Sequence, residues 1–315
     1  MLNLVNQKVG LLDLNLKSQY QRLFFKRFLI SNLFVFLIQV IGLNLNVYYL
    51  FKSPLWFFTG TACAFIFLQG YRVFPGIFLG NLLGFYLAKI GFWLAFGCAA
   101  AISLQAVLLF WFCQNHGIPS LIFYRKQDFF KFLLFSLALT GICSILLVFI
   151  CHLYEPEVGI TLQLWLRWWL GNLNAILIFA SAIISWDAYF TDFYSQTNLK
   201  NKVWICTLYG LLILVTAAIA LSSNLNLTLI LALTNLLITA AICILFGWCG
   251  AITALFISGV MLNLAAILGA PVFYTPFVRL ILPFLQLLLC VEAILAVVYT
   301  LRVLPFSNAS ASIVD

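Results

Sequence analysis

Ten apolar stretches, joined by short polar segments, make up nearly all of this sequence. The hydrocarbon core of a bilayer is about 30 Å thick and takes about 20 apolar residues per helix. The stretches are continuous rather than alternating, which favours helices over a barrel. The sequence therefore predicts an all-α, polytopic transmembrane helix bundle. The predicted spans are 28–50, 54–70, 73–88, 90–112, 129–152, 163–186, 203–221, 226–246, 248–268 and 277–301.

Composition excludes a water-soluble fold. Of the 315 residues, 65% are hydrophobic and only 8% are charged, whereas soluble domains average about 25% charged residues. We expect a cytoplasmic N-terminal segment over 1–27, an integral membrane domain over 28–302, and a disordered cytoplasmic tail over 303–315. The segment before the first span is long and charged, which is unlike a cleaved signal peptide, so we expect it to stay in the mature chain.

The positive charges predict the orientation. With the N-terminus in the cytoplasm, twelve of the 16 Lys and Arg residues fall on or near the inner side, as the positive-inside rule requires. The acidic segment with Glu155 and Glu157 then lies outside. The two stretches within 54–88 are short for full crossings, so the alternative is eight full spans plus a re-entrant pair. Both versions put the two termini in the cytoplasm, and the net charge of +8 reflects topology rather than nucleic-acid binding.

Three features are candidate sites. Gly76, Gly80 and Gly84 recur every four residues and predict close helix packing, with Asn81 beside them as a buried amide. Glu292 is the one carboxylate deep within a predicted span, and such a charge costs about 2.5–3.5 kcal/mol at the centre of a helix. It must therefore be neutral, paired or in a polar cavity.

The start of the sixth span has the highest density of aromatic and polar residues. On a helix, Trp165, Trp168, Trp169 and Asn172 share one face, while Arg167, Gly171 and Asn174 share the opposite one. One interpretation is an interfacial tryptophan belt with a snorkelling arginine. The other is an outward-opening ligand pocket with aromatic walls and polar anchors.

Enzyme motifs are missing from the sequence: it contains no GxSxG, no P-loop and no HExxH. The nine cysteines lack CxxC or Cys/His spacing, so neither a metal site nor a cofactor is expected. These observations predict a protein that is not an enzyme.

Three blocks resemble one known family. They are Pro54 to Gly60 with Trp56, Gly70 to Asn81, and Trp168-Trp169-Leu170-Gly171-Asn172. They are similar to blocks of the bacterial membrane-associated sensor domains, the first MASE group, over roughly residues 30 to 302. The resemblance implies a sensory module of the bacterial inner membrane, which usually joins a histidine kinase or a cyclic-dinucleotide enzyme. This chain has Asn172 where the family tends to carry an acid, and it lacks an output domain.

The leading hypothesis is thus a stand-alone sensory or regulatory module that binds a small ligand or reads the state of the membrane. It would signal to a separate cytoplasmic kinase or cyclic-dinucleotide enzyme through a shift of the tenth span. The expected partners are the lipid bilayer, such an enzyme in trans and further copies of the chain. The alternatives are a small-molecule transporter that uses Glu292 and a membrane scaffold that binds a partner helix through the glycine strip.

Overall fold

The protein is helical throughout the part of the chain that the structure describes. The structure is a computed structural model that describes residues 25–44, 56–118, 126–154, 161–187, 199–273 and 278–303, and no strand occurs in these ranges. The all-α prediction is confirmed for them. Most of the predicted N-terminal segment and nearly all of the predicted tail lie outside the described residues.

Ten helices follow one another along the described chain. Their bounds agree with the predicted spans to within about four residues, except that the predicted end of the first span, 45–50, lies outside the described residues. The ten helices are α1 (Phe25–Asn44), α2 (Phe57–Gln69), α3 (Phe74–Leu87), α4 (Phe92–Asn115), α5 (Lys126–Tyr154), α6 (Leu162–Asp187), α7 (Leu199–Leu221), α8 (Leu225–Gly247), α9 (Cys249–Ile267) and α10 (Val278–Val303).

Local sequence explains several helix ends. Thr161 caps α6, because its side chain accepts a hydrogen bond from the Leu164 amide at 3.1 Å. Asn224 caps α8 in the same way through the amides of residues 226 and 227. Gly70 has φ +71° and Gly247 has φ +66°, a region that side chains other than glycine rarely adopt. These two glycines therefore divide long apolar runs into α2 and α3, and into α8 and α9.

The helices α2 and α3 form a hairpin that lies against α1. Along α2 the contacts to α1 run backwards, since Phe57 lies beside Gly42 and Phe65 beside Phe34. Along α3 they run forwards, since Gly76 lies beside Asn32 and Gly84 beside Leu43. Both helices thus pass the same part of α1 in opposite directions.

The length of this hairpin bears on the number of spans. Its helices have 13 and 14 residues, or about 20 Å each, which is short of a core about 30 Å thick. Nine helical stretches of the described chain are long and apolar enough to cross a membrane when 57–87 is counted as one of them. The reversal within 57–87 favours the predicted alternative of eight full spans plus a re-entrant pair.

The other helices alternate in direction. Gly97 of α4 lies beside Ile150 of α5, and Phe112 of α4 stacks on Phe135 of α5. The helices α4 and α5 are therefore antiparallel.

The helix α6 runs parallel to α2 and to α10, whereas α9 runs antiparallel to α6. The contacts that establish these directions are Trp56 with Gly171, Gly60 with Ala175, Gln286 with Arg167, Cys290 with Asn174, Trp186 with Thr253 and Phe179 with Phe256. The start of α1 and the end of α10 therefore lie on the same side of the bundle.

The distribution of polar residues is the reverse of that in a water-soluble protein. Large apolar side chains in the middle of helices are exposed, such as Leu134 at 70% and Leu214 at 68%. Asn172, Asn174 and Gln286 are fully buried. A surface of this kind requires lipid around it, and the protein is an integral membrane protein.

Candidate functional site

The first half of α6 lies in the centre of the bundle and contacts three other helices. The backbone amide of Trp56, just before α2, donates to the Gly171 carbonyl at 3.4 Å. The Trp56 ring packs on Trp168 with ring centroids 4.5 Å apart. A Cβ at Gly171 would lie 2.7 Å from the Trp56 ring. Position 171 therefore holds glycine because Trp56 fills the space above it.

The two asparagines of α6 bond to different helices. Asn172 accepts a hydrogen bond from the Thr59 hydroxyl at 2.7 Å and donates to Ser144 at 3.4 Å. Asn174 donates to the Gln286 carbonyl at 2.7 Å and accepts from the Cys290 thiol at 2.9 Å. One asparagine thus ties α6 to α2 and α5, and the other ties it to α10. We call this set the α6 junction: Trp56, Thr59, Ser144, Trp168, Gly171, Asn172, Asn174, Gln286 and Cys290.

Trp165 and Trp169 lie beside the junction and face α5. Their rings stack 4.8 Å apart, and their indole N–H groups donate to the carbonyls of Gly141 and Leu137 at 3.1 and 3.0 Å. The indoles are thus hydrogen-bonded to a neighbouring helix. Trp169 and Asn172 face α5 whereas Asn174 faces α10. Trp168 and Gly171, predicted on opposite faces, both contact Trp56.

The α6 junction is packed. Trp56 is 4% exposed and Trp168 is 6% exposed. Gln286 of α10 makes a further hydrogen bond to α6, since its side-chain amide donates to the backbone carbonyl of Arg167 at 3.3 Å. Arg167 itself is half-buried. A ligand pocket at this position stays a prediction, because aromatic rings occupy the space in this structure.

A π-helical segment follows the junction directly. It spans Ala175–Ala180, and all six of its residues are buried. Gly60 of α2 approaches it so closely that a Cβ there would lie 2.3 Å from the Ala175 carbonyl oxygen. Single π turns within α-helices frequently mark functional sites, so this segment supports the α6 junction as a candidate functional site.

Glu292 lies away from the junction, in a groove between α8 and α10. The groove encloses about 300 Å³. Its lining residues are Leu236, Thr239, Ala240, Cys243, Ile244, Glu292, Leu295, Ala296, Val298 and Tyr299. Ile244 is 60% exposed and Leu295 is 54% exposed, whereas Glu292 is 3% exposed. The carboxyl group thus lies at the bottom of an apolar groove that opens toward lipid, and we call this feature the α8–α10 groove.

Polar side chains continue from Glu292 into the bundle. Thr239 of α8 lines the same groove and is within electrostatic reach of the Glu292 carboxyl group. Thr239 in turn donates to the Asn235 oxygen at 3.4 Å, and the Asn235 amide donates to the Thr216 hydroxyl at 2.8 Å. The Thr216 hydroxyl lies 3.5 Å from that of Ser258. This polar chain joins α10 to α8, α7 and α9.

The polar chain has two chemically complete arrangements. A hydroxyl has one proton to donate, and an ionised carboxylate can only accept. If Glu292 is neutral, it can donate to Thr239, which then donates to Asn235. If Glu292 is ionised, Thr239 must turn to donate to the carboxylate, and the Asn235 oxygen loses that donor. The charge of Glu292 is therefore coupled to the hydrogen bonding of α8.

The remaining predicted residues lie elsewhere. Gly76, Gly80 and Gly84 face α1, where added Cβ atoms would lie 2.4, 2.7 and 3.0 Å from Asn32, Gln39 and Leu43. Asn81 is fully buried on α3, and neither atom of its amide has a hydrogen-bond partner among the described residues. The structure thus brings the α6 residues together with Trp56, and separates them from Asn81 and from Glu292.

Sequence reasoning missed most of the polar partners. Gln286, Thr59 and Ser144 belong to the junction, and Thr239, Asn235, Thr216 and Ser258 to the polar chain. The available signal was an amide or a hydroxyl within an apolar span, because polar groups in lipid face other helices. Asn235 and Thr239 also have the spacing of four residues that puts them on one helix face.

Comparison with protein-family models, with curated proteins and with solved structures finds no match. The described residues contain no cluster of three or more His, Cys, Asp or Glu side chains that could hold a metal ion. The α8–α10 groove presents one carboxyl group, a threonine hydroxyl and an apolar wall.

Proposed function

We propose that the protein is a sensory module of the bacterial inner membrane, with both termini in the cytoplasm. In this proposal a small ligand binds in the α8–α10 groove and alters the position of α10, and a separate cytoplasmic protein responds. One observation carries the proposal. The same helix, α10, contributes Glu292 to the groove and Gln286 and Cys290 to the α6 junction.

The proposed mechanism requires two conformations of α10. A ligand shifts an equilibrium only by binding one conformation better than the other. Glu292 lies less than two turns beyond Gln286 on the same helix, so a ligand that moves α10 at Glu292 also strains the bonds to Arg167 and Asn174. The resemblance of the Trp168-Trp169-Leu170-Gly171 block to the MASE sensors supports this proposal, and the partner would be a kinase or a cyclic-dinucleotide enzyme.

The proposed orientation gives a direct prediction. We expect alkaline phosphatase fused after Glu157 to be active and the same enzyme fused after Asn201 to be inactive, because the positive charges favour a cytoplasmic start of α7. The measurement is phosphatase activity per amount of fusion protein. The opposite pattern would reverse the orientation and move the end of α10 outside.

Glu292→Gln tests the signalling proposal. A photo-crosslinking amino acid at Leu301, in the last turn of α10, reports what lies next to the end of that helix in the host membrane. We expect a discrete adduct with one cytoplasmic protein, and we expect Glu292→Gln to change its yield several-fold at equal expression, because the amide cannot ionise. Leu237→Phe, on the lipid-facing side of α8, is the matched control and should leave the yield unchanged.

Two results contradict the proposal. One is an adduct yield that Glu292→Gln leaves unchanged, and the other is crosslinking to lipid and to copies of the chain alone.

Transport is the second candidate function. It is favoured by the α2–α3 hairpin together with the polar chain from Glu292, since transporters build midplane sites from broken helices and use buried carboxylates. Ligand uptake into proteoliposomes distinguishes the two functions. A transporter produces net flux of its ligand across the membrane, whereas a sensor moves α10 without such flux. A scaffold role is less well supported, since α1 covers the glycine strip that would bind a partner helix.

A further inference from the structure

The α8–α10 groove combines two properties that together restrict its ligand. Its walls are apolar and its mouth lies between lipid-facing residues, including the exposed Ala240 and the half-exposed Ile244 and Leu295. A ligand therefore enters sideways from the hydrocarbon and needs an apolar body. A volume of about 300 Å³ is at the lower end of the range for small-molecule sites, so that body is short.

The bottom of the groove presents a buried carboxyl oxygen that has no hydrogen-bond partner among the described residues. This atom is Oε2 of Glu292, which is 3% exposed. The lining residues include no Lys, Arg or His. A buried carboxylate is stable only when it is paired, and the group that complements the ionised form of Glu292 is a cation that also donates a hydrogen bond.

From this geometry we infer that the α8–α10 groove binds a lipophilic amine, with its ammonium group on Oε2 of Glu292 and its short alkyl or aryl body between α8 and α10. This inference rests on the proposed function and names the class of ligand. The bound ammonium keeps Glu292 ionised, so Thr239 turns toward the carboxylate and releases Asn235. Binding is thereby transmitted to α8 and, through Thr216, to α7.

The depth of Glu292 favours a free amine over the amine of a lipid headgroup. It lies within the apolar stretch Leu282–Tyr299, so about 15 Å of helix separates it from one end of that stretch and about 10 Å from the other. Lipid headgroups lie beyond those ends, whereas a small amine can dissolve in the hydrocarbon and reach the groove.

Equilibrium binding of radiolabelled octylamine to the full chain in nanodiscs tests the inference, with empty nanodiscs subtracted. We expect saturable binding at one site per chain, and we expect unlabelled octanol and octanoate to compete at least about tenfold more weakly than octylamine, because neither carries a cation. Octanol competing as well as octylamine would overturn the inference.

Two variants locate the site. Glu292→Gln should weaken octylamine binding by about tenfold or more. Ala240→Phe places a ring in the mouth of the groove from a lipid-exposed position and keeps the carboxylate. We expect it to abolish octylamine binding as well. This variant therefore tests the site even if Glu292→Gln fails to fold. Leu237→Phe adds the same ring outside the groove and should bind normally. Full affinity in Ala240→Phe would show that octylamine binds elsewhere and would refute the inference.

The lipid composition separates the two sources of amine. Nanodiscs with phosphatidylethanolamine in place of phosphatidylcholine should bind octylamine equally well, and loss of binding there would assign the groove to a headgroup instead. The outcome for signalling is independent. Octylamine that binds without changing the Leu301 adduct refutes the sensory function alone, whereas an adduct that depends on Glu292 without octylamine binding refutes the amine alone.

Discussion

Replacing Gly60 by alanine is expected to destabilise the fold by about 3 kcal/mol or more, the upper part of the range for overpacked cores. The added Cβ would lie 2.3 Å from the Ala175 carbonyl oxygen and 2.7 Å from the Phe179 Cβ. The first contact is with backbone, which cannot rotate away as a long side chain can. To relieve it, α2 must move away from the π-helical segment of α6.

The matched control is Gly210→Ala on α7, because no atom lies within 4 Å of a Cβ built at that position. Alanine there should leave stability unchanged or raise it by up to about 1 kcal/mol, through its better helix propensity. The measurement is the midpoint of thermal aggregation in detergent, compared at equal expression. Equal midpoints for the two variants would contradict the close packing of α2 on α6.

Replacing Asn172 by aspartate is expected to cost up to about 3 kcal/mol, the cost of a charge within the membrane. Asn172 is fully buried, and aspartate can still accept from Thr59 but loses the donor that bonds Ser144. The sensor family proposed for this chain tends to carry an acid here. In this chain Thr59 and Ser144 are neutral, so neither supplies the positive charge that a buried carboxylate needs.

Asn226→Asp is the control for this second variant, since it makes the same chemical change at an exposed position in the first turn of α8. A negative charge near a helix N-terminus is favourable, so this variant should fold normally. Folded yield after gel filtration in mild detergent distinguishes the two. Normal yield of Asn172→Asp would contradict this cost and would mean that the aspartate is either protonated or paired with a counter-charge such as the half-buried Arg167.

Hydropathy predicted the helices well but not their neighbours. The predicted spans 226–246 and 248–268 agree with α8 and α9 to within a residue, because apolar runs and glycine breaks are local properties. Pairing is different. Lipid tails are as apolar as leucine, so the sequence does not show whether an apolar side chain faces lipid or another helix. For this reason no local sequence pattern predicted the contact of Trp56 with Gly171.

Polar residues predicted the helix contacts better than apolar residues did. More of the α6 junction than of the polar chain beside Glu292 could be predicted from the sequence. The density of tryptophan and asparagine in 165–174 singled out the start of α6 as a candidate site, either an interfacial belt or a ligand pocket, and Glu292 stood out as a lone carboxylate. Thr239 and Asn235 did not stand out, because hydroxyl and amide side chains are also common in spans that serve packing alone. Their role followed only from the spatial order of α7, α8 and α10.

The short hairpin on α1 has a consequence for how the chain enters the membrane during synthesis. Helices of about 20 Å are shorter than the hydrocarbon core, so we expect α2 and α3 to enter the membrane as a pair. We expect this step to depend on α1, since Gly76, Gly80 and Gly84 allow α3 to lie directly on it. On this expectation, the glycines act on the order of membrane insertion as well as on the closeness of the final packing.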